Sequence, residues 1–153
     1  MIKFTKYVKV SSLEEAYELN KSRANVIMGG MMWLGMQNRN IGTVVDISGL
    51  GLDRIEENDE SYIIGAMVSL RSLECHEGLN EYTKGAVKES LRHIVGVQFR
   101  NMATVGGSLY GRYGFSDVLT LFMAIGASVQ LYKAGTVDIA AFADMPFDND
   151  ILV

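Results

Sequence analysis

The sequence predicts an α+β fold, and two observations carry that prediction. The first third alternates short β-branched stretches with helical spacing in the order strand, helix, strand, helix, strand, which favours a small α/β lobe with parallel pairing. Past residue 52 the pattern changes to short strands around a turn, then helices, then strand again. The expected division is therefore a small α/β lobe over residues 1–52 and a larger α+β lobe over 53–153. At 153 residues the chain is long enough to bury a real core, and 48% hydrophobic with 21% charged residues is an ordinary globular balance.

Taken in order, Phe4 to Val10 alternates apolar and polar residues as a strand does. Ser12 with Glu15 forms a capping box, after which Leu13, Ala16, Tyr17 and Leu19 recur near helical spacing. Val26 to Met28 is a short apolar strand stopped by Gly29-Gly30, with a short helix expected from about Met31 to Arg39. Thr43 to Ile47 is the next β-branched strand. Asp53 to Glu57 and Ser61 to Ile64 flank Asn58-Asp59-Glu60 as a hairpin would. Ser69 caps a short helix to Glu74, and Glu81 to Ile94 reads as a longer helix with Ala86, Val87, Leu91 and Ile94 on one face. Ser116 caps a helix from Asp117 to Ile125, and Ser128 to Lys133 alternates as a strand. The last residues, Asp148 to Val153, read as a turn running into an unfinished strand.

Charge and cysteine content narrow the function classes. A net charge of −4 argues against duplex nucleic acid as a partner, because that affinity comes largely from Lys and Arg neutralising phosphates. No apolar run approaches the roughly 20 residues of a membrane helix, and the N-terminus lacks the long apolar segment of a signal peptide. A cytoplasmic setting with no membrane partner is the simplest expectation. The single cysteine, Cys75, excludes an iron–sulfur cluster or a thiolate zinc site built by this chain alone.

The chemistry-bearing candidates are two glycine loops and an acid. Gly29-Gly30 lies between a strand and an expected helix, an arrangement in which backbone N–H groups and the helix dipole hold a phosphate. Thr104-Val105-Gly106-Gly107-Ser108 offers two hydroxyls and an open backbone, and Asp117 opens a helix where it could accept from a sugar hydroxyl. Taken singly, each is better explained as a tight turn, a glycine bend or a first-turn acid. Their joint order and spacing point instead to a phosphate-bearing cofactor held from two sides. Gly49-Leu50-Gly51 begins like a dinucleotide fingerprint, but the third glycine is Arg54 and strand follows instead of helix. Tyr110-Gly111-Arg112-Tyr113-Gly114-Phe115 interleaves aromatics with a base, more in keeping with a loop over a ligand than with an RNA surface on an acidic chain. His76 and His93 sit at no ligand spacing, Cys75 has no triad partners, and the nine methionines read as core filling. No catalytic residue and no metal ligand is assigned.

The string Gln98-x-Arg100-Asn101-x-Ala103-Thr104-x-Gly106-Gly107 resembles the FAD-binding domain of the molybdenum hydroxylases, the xanthine and carbon monoxide dehydrogenase family. The strand-Gly-Gly segment, Val45-Asp46-Ile47, Ile64-Gly65-Ala66 and Asp117 follow in the family's order. The resemblance implies a two-lobed domain of the vanillyl-alcohol-oxidase and molybdopterin-dehydrogenase type, here without its C-terminal domain, with FAD stretched between the lobes. It implies that Ile27, Met28, Gly29, Gly30, Met31, Met32 and Trp33, with Thr104, Gly106, Gly107 and Ser108, line the dinucleotide, and that Asp117 contacts its sugar or polyol. The family's first loop usually reads Ala-Gly-Gly-Thr-Asp. Met28, Met31 and Met32 depart from it, which leaves a phosphate there to backbone N–H groups alone, and Ser108 stands where asparagine is common. The function so implied is electron transfer: molybdopterin and 2Fe-2S clusters on partner subunits supply electrons, and FAD on this chain passes them to an acceptor such as NAD. A fragment of a stand-alone flavin oxidase and a degenerate, cofactor-free interaction module are the alternatives.

Overall fold

A computed structural model describes all of residues 1–153. Its first lobe is a three-stranded parallel sheet of β1 (Lys3–Lys9), β3 (Asn40–Asp46) and β2 (Val26–Met28), with β3 in the middle and α1 (Leu13–Asn20) crossing from β1 to β2. The expected parallel pairing is present. Ser12 caps α1 by accepting from the Glu15 N–H at 3.1 Å, while the Glu15 carboxylate accepts from the Ser11 N–H at 2.9 Å, one residue beyond the Ser12 N–H of the predicted box. At the end of β3, Asp46 is buried and accepts from the Tyr7 hydroxyl and, at 2.8 Å, from the Ser48 N–H. Burial alone would raise its pKa. The hydrogen bonds from Tyr7 and Ser48 and the charge of Lys9 outweigh it and hold the carboxyl below its ordinary value.

The helix expected over 31–39 is reduced to one 3₁₀ turn at Leu34–Met36. Met31 explains this, since its φ of 63° is left-handed and cannot open a right-handed helix.

The second lobe contains the hairpin β4 (Ile55–Glu57) and β5 (Tyr62–Ile64), where the Asn58 side chain accepts from the Glu60 and Ser61 N–H groups as predicted for a turn residue. Helices α2 (Leu70–Cys75), α3 (Glu77–Tyr82), α4 (Ala86–Leu91), α5 (Val97–Met102), α6 (Val105–Tyr110) and α7 (Asp117–Ala124) follow. The predicted single helix from Glu81 to Ile94 is broken, because Lys84 and Gly85 take φ of 52° and 83°. His76 caps α3, its Nδ1 accepting from the Leu79 N–H at 3.1 Å, a structural role that its sequence context did not show. Thr104 to Ser108, whose plain alternative was a glycine bend, forms the cap and first turn of α6.

The chain ends with the hairpin β6 (Ser128–Leu131) and β7 (Gly135–Asp138) and with α8 (Ile139–Asp144), capped by Asp138. Neither β7 nor α8 was foreseen. In the terminal segment Ile151 and Leu152 are buried and Val153 is half-buried: Leu152 bridges to Leu131, and Ile151 joins Val10, Ala16, Val45 and Ile47 in the core under the parallel sheet. The Asp150 carboxylate accepts from the Lys133 and Ala134 N–H groups at 2.8–3.1 Å, tying the β6–β7 turn to this returning strand. A separate core of 19 buried residues, among them Val68, Leu73, Leu91, Val105, Phe122 and Phe142, fills the helical lobe.

Candidate functional site

The two glycine pairs, 77 residues apart in sequence, meet where the lobes join. A Cβ on Gly30 would stand 1.6 Å from the Met102 carbonyl oxygen, so the first loop lies directly on the backbone that leads into the second. A Cβ on Gly29 would reach Thr104 Oγ1 at 2.8 Å and Gly107 Cα at 3.8 Å. Three backbone hydrogen bonds hold the second loop. The Val105 and Gly106 N–H groups donate to Val68 and Ala66, and Leu70 N–H donates to Ala103. Behind it, Arg100 of α5 donates to Glu74 of α2 through Nε at 2.8 Å and Nη2 at 3.4 Å, with both side chains only 5% exposed, and through Nη1 to the Ile94 carbonyl at 3.0 Å. Arg71 adds a second contact to the same carboxylate at 2.9 Å.

A cavity of about 880 Å³ opens over this junction. Its wall includes Ile27, Gly29, Gly30, Met31, Met32 and Trp33 from the first loop and Thr104, Gly106, Gly107 and Ser108 from the second. Two predicted residues are not among its lining: Met28, and Asp117, which is exposed at the start of α7. Tyr110, Gly111 and Tyr113, from the segment read as a loop over a ligand, also line it, whereas sequence reasoning missed Arg23, Gln37, Arg39 and the returning segment from Asp148 to Leu152. These lie far apart in the chain, and no local spacing connects them.

The two loops differ in what they offer. In the first, the N–H groups of Gly30, Met31, Met32, Trp33 and Leu34 donate to no acceptor of the chain, and all five residues line the cavity. Successive unengaged amides with open backbone form a concave anion site, and a group that must otherwise rely on water is where a phosphate oxygen fits. In the second loop the amides are already engaged, Gly107 N–H with Thr104 Oγ1 at 3.2 Å and Ser108 N–H with the Thr104 carbonyl. The Ser108 hydroxyl also donates to that carbonyl, at 2.8 Å. What remains is the Thr104 hydroxyl proton, which no group of the chain accepts, and the bare surface of Gly107. The first loop thus offers free donors, and the second an open glycine surface with one free hydroxyl proton. Arg23 and Arg39, neither of them in an ion pair, add positive charge. The residues present fit a phosphate-bearing dinucleotide.

The left-handed backbone at Met31 sets an expectation for that loop. Met31→Gly should keep thermal stability level or raise it, while Met31→Thr should lower it by about 1 kcal/mol, because a β-branched side chain is poorly tolerated at positive φ. Unfolding midpoints of the two variants check this; equal midpoints would show the conformation to be unstrained.

Residues 2–152 match the model of the family described as the FAD binding domain in molybdopterin dehydrogenase. Among solved structures, quinoline 2-oxidoreductase from Pseudomonas putida 86 superposes with a TM-score of 0.86 at 20% identity, covering 99% of this chain and 57% of that one. Carbon monoxide dehydrogenase from Hydrogenophaga pseudoflava gives 0.85 at 22% identity, again over 99% and 57%, and reconstituted CO dehydrogenase from Oligotropha carboxidovorans gives 0.82 at 22% identity, over 98% and 57%. The chain thus spans a little under three fifths of the length of the solved chains it matches. No curated protein sequence matches it. No helix is long and apolar enough to cross a membrane. The chain belongs to the family of FAD-binding domains of the molybdopterin dehydrogenases.

Proposed function

We propose that this chain holds FAD over the glycine junction and acts as the electron-transfer module of a molybdenum hydroxylase-type dehydrogenase. The observation that carries the reading is the run of five unengaged amide N–H groups from Gly30 to Leu34 in the wall of the cavity. They receive the pyrophosphate, with the Thr104 hydroxyl as a further donor. Gly107 allows close approach from the opposite side. Bound FAD supplies the redox chemistry, accepting and releasing electrons singly or in pairs. The chain contributes binding, orientation and positive charge from Arg23 and Arg39 beside the phosphates. Electrons come from 2Fe-2S clusters on an iron–sulfur subunit, which in turn receives them from a molybdopterin subunit where substrate is oxidised, and NAD is the acceptor. In support, the solved chains of like fold include a Cu,Mo-CO dehydrogenase. We place the small lobe at about 1–52 and the larger one at 53–153, in a cytoplasmic complex. The unengaged amides favour this reading over a cofactor-free module, since without a ligand they would have only water as partner.

Titrating the full chain with FAD, FMN and NAD tests this. FAD should bind at least tenfold more tightly than either, because only it places a pyrophosphate and an adenosine across the cavity. Equal affinity for FMN would sink the reading. The chain by itself should oxidise no purine or aldehyde, whereas the assembled complex should.

A further inference from the structure

Beside the cavity, two segments remote in sequence build a small aromatic platform. Tyr113 and Phe115, in the loop between α6 and α7, stack with ring centroids 5.1 Å apart and planes 11° apart. Trp33, whose own amide is among the unengaged ones, leans on both at 5.9 and 6.0 Å, tilted by 52° and 60°. The loop is shaped to hold them. Gly111 leaves the space in which the Tyr113 ring folds back, since a Cβ there would stand 2.5 Å from Tyr113 Cε2. Arg112 takes a φ of 47°, donates through Nη1 to the Met145 carbonyl at 3.2 Å, and sets its guanidinium 4.2 Å from the Phe142 ring centre, which anchors the loop to the core. Yet Trp33, Tyr113 and Phe115 stay 42%, 38% and 68% exposed. Fixed rings left facing water in one patch mark a surface made for a ligand or partner.

Position decides between these. Trp33 and Tyr113 both line the cavity, and the Trp33 N–H is itself one of the unengaged amides read as the phosphate site. A dinucleotide carries a planar heteroaromatic ring at each end, and such rings stack on aromatic side chains. We propose that Trp33, Tyr113 and Phe115 form a stacking lip for one planar ring of the dinucleotide. This inference rests on the reading of the cavity as the FAD site.

The test is calorimetric titration of the full chain with FAD, alongside Trp33→Leu, Trp33→Phe and Tyr113→Leu, with circular dichroism to confirm that each variant is folded. Trp33→Leu should weaken FAD binding about tenfold or more, the loss typical of one stacked base. Trp33→Phe, which keeps an aromatic face, should recover most of it, and Tyr113→Leu should show a smaller loss in the same direction. Repeating the titrations with ADP and with FMN assigns the ring, as the half-ligand whose affinity falls is the one that stacks. If wild type binds FAD and the folded variants bind it equally well, the lip is overturned while the site stands. If wild type binds no FAD, the site reading fails and the lip fails with it.

Discussion

Arg100→Ala should cost about 3–5 kcal/mol of folding stability, the usual penalty for stripping one partner from a buried ion pair. Arg100 and Glu74 are each 5% exposed, and removal of the guanidinium leaves the carboxylate with only Arg71, which stands nearer the surface. Burial by itself would raise the Glu74 pKa. The hydrogen bonds from Arg100 and Arg71 and their charges reverse that and hold the carboxyl below its ordinary value. A carboxyl whose folded pKa is depressed stabilises fully above its unfolded value of about 4.3, and that contribution fades as pH falls through the folded value. Stability of the wild type should therefore decline below about pH 4.3 more steeply than that of Glu74→Gln, which has no proton to bind there. Denaturant unfolding across pH measures both effects. Replacing both residues by methionine should restore much of the stability lost by either single change, because no unpaired charge is then buried. A single-variant loss below about 1 kcal/mol would show that water reaches the pair.

This ion pair also shows how far the sequence could be read. Arg100 belongs to the string that carried the family resemblance, the parallel lobe was legible from the alternation of strands and helices, and the Asn58 turn and the Ser12, Ser69 and Ser116 caps were legible because each depends on residues within a few positions. The partner of Arg100 was not legible, since Glu74 lies 26 residues away on a different helix with no spacing to mark it. The two predicted helices that failed share one cause. Met31, Lys84 and Gly85 take left-handed backbone that breaks a predicted helix, and only the glycine announces that in its side chain. At the site, the glycine pairs were visible but their division of labour was not. Whether an amide is free depends on acceptors elsewhere: Ala66 and Val68 engage the second loop, and nothing engages the first.

Gly30→Ala and Gly107→Val should both abolish FAD retention, yet by different routes that a stability measurement separates. At Gly30 a Cβ would meet only backbone, the Met102 carbonyl oxygen at 1.6 Å and carbon at 2.5 Å and Ala103 Cα at 2.9 Å. No side chain can swing away, so the loops must part. Overpacking of this kind costs about 1–3 kcal/mol or more, and the loop that carries the five unengaged amides is displaced with it. At Gly107 the nearest atom is a single side-chain oxygen, Thr104 Oγ1 at 2.9 Å, and the residue faces the cavity. Valine there displaces the Thr104 cap, at about 1 kcal/mol, and fills the surface proposed above for the pyrophosphate. Gly30→Ala should thus lower the unfolding midpoint of the cofactor-free chain strongly, and Gly107→Val only slightly, with FAD affinity falling at least a hundredfold in both. Gly35→Ala, where a Cβ meets nothing within 4 Å, is the control and should change neither. If Gly107→Val instead unfolds the chain while the surviving folded fraction still binds FAD, then Gly107 serves α6 and the pyrophosphate lies elsewhere.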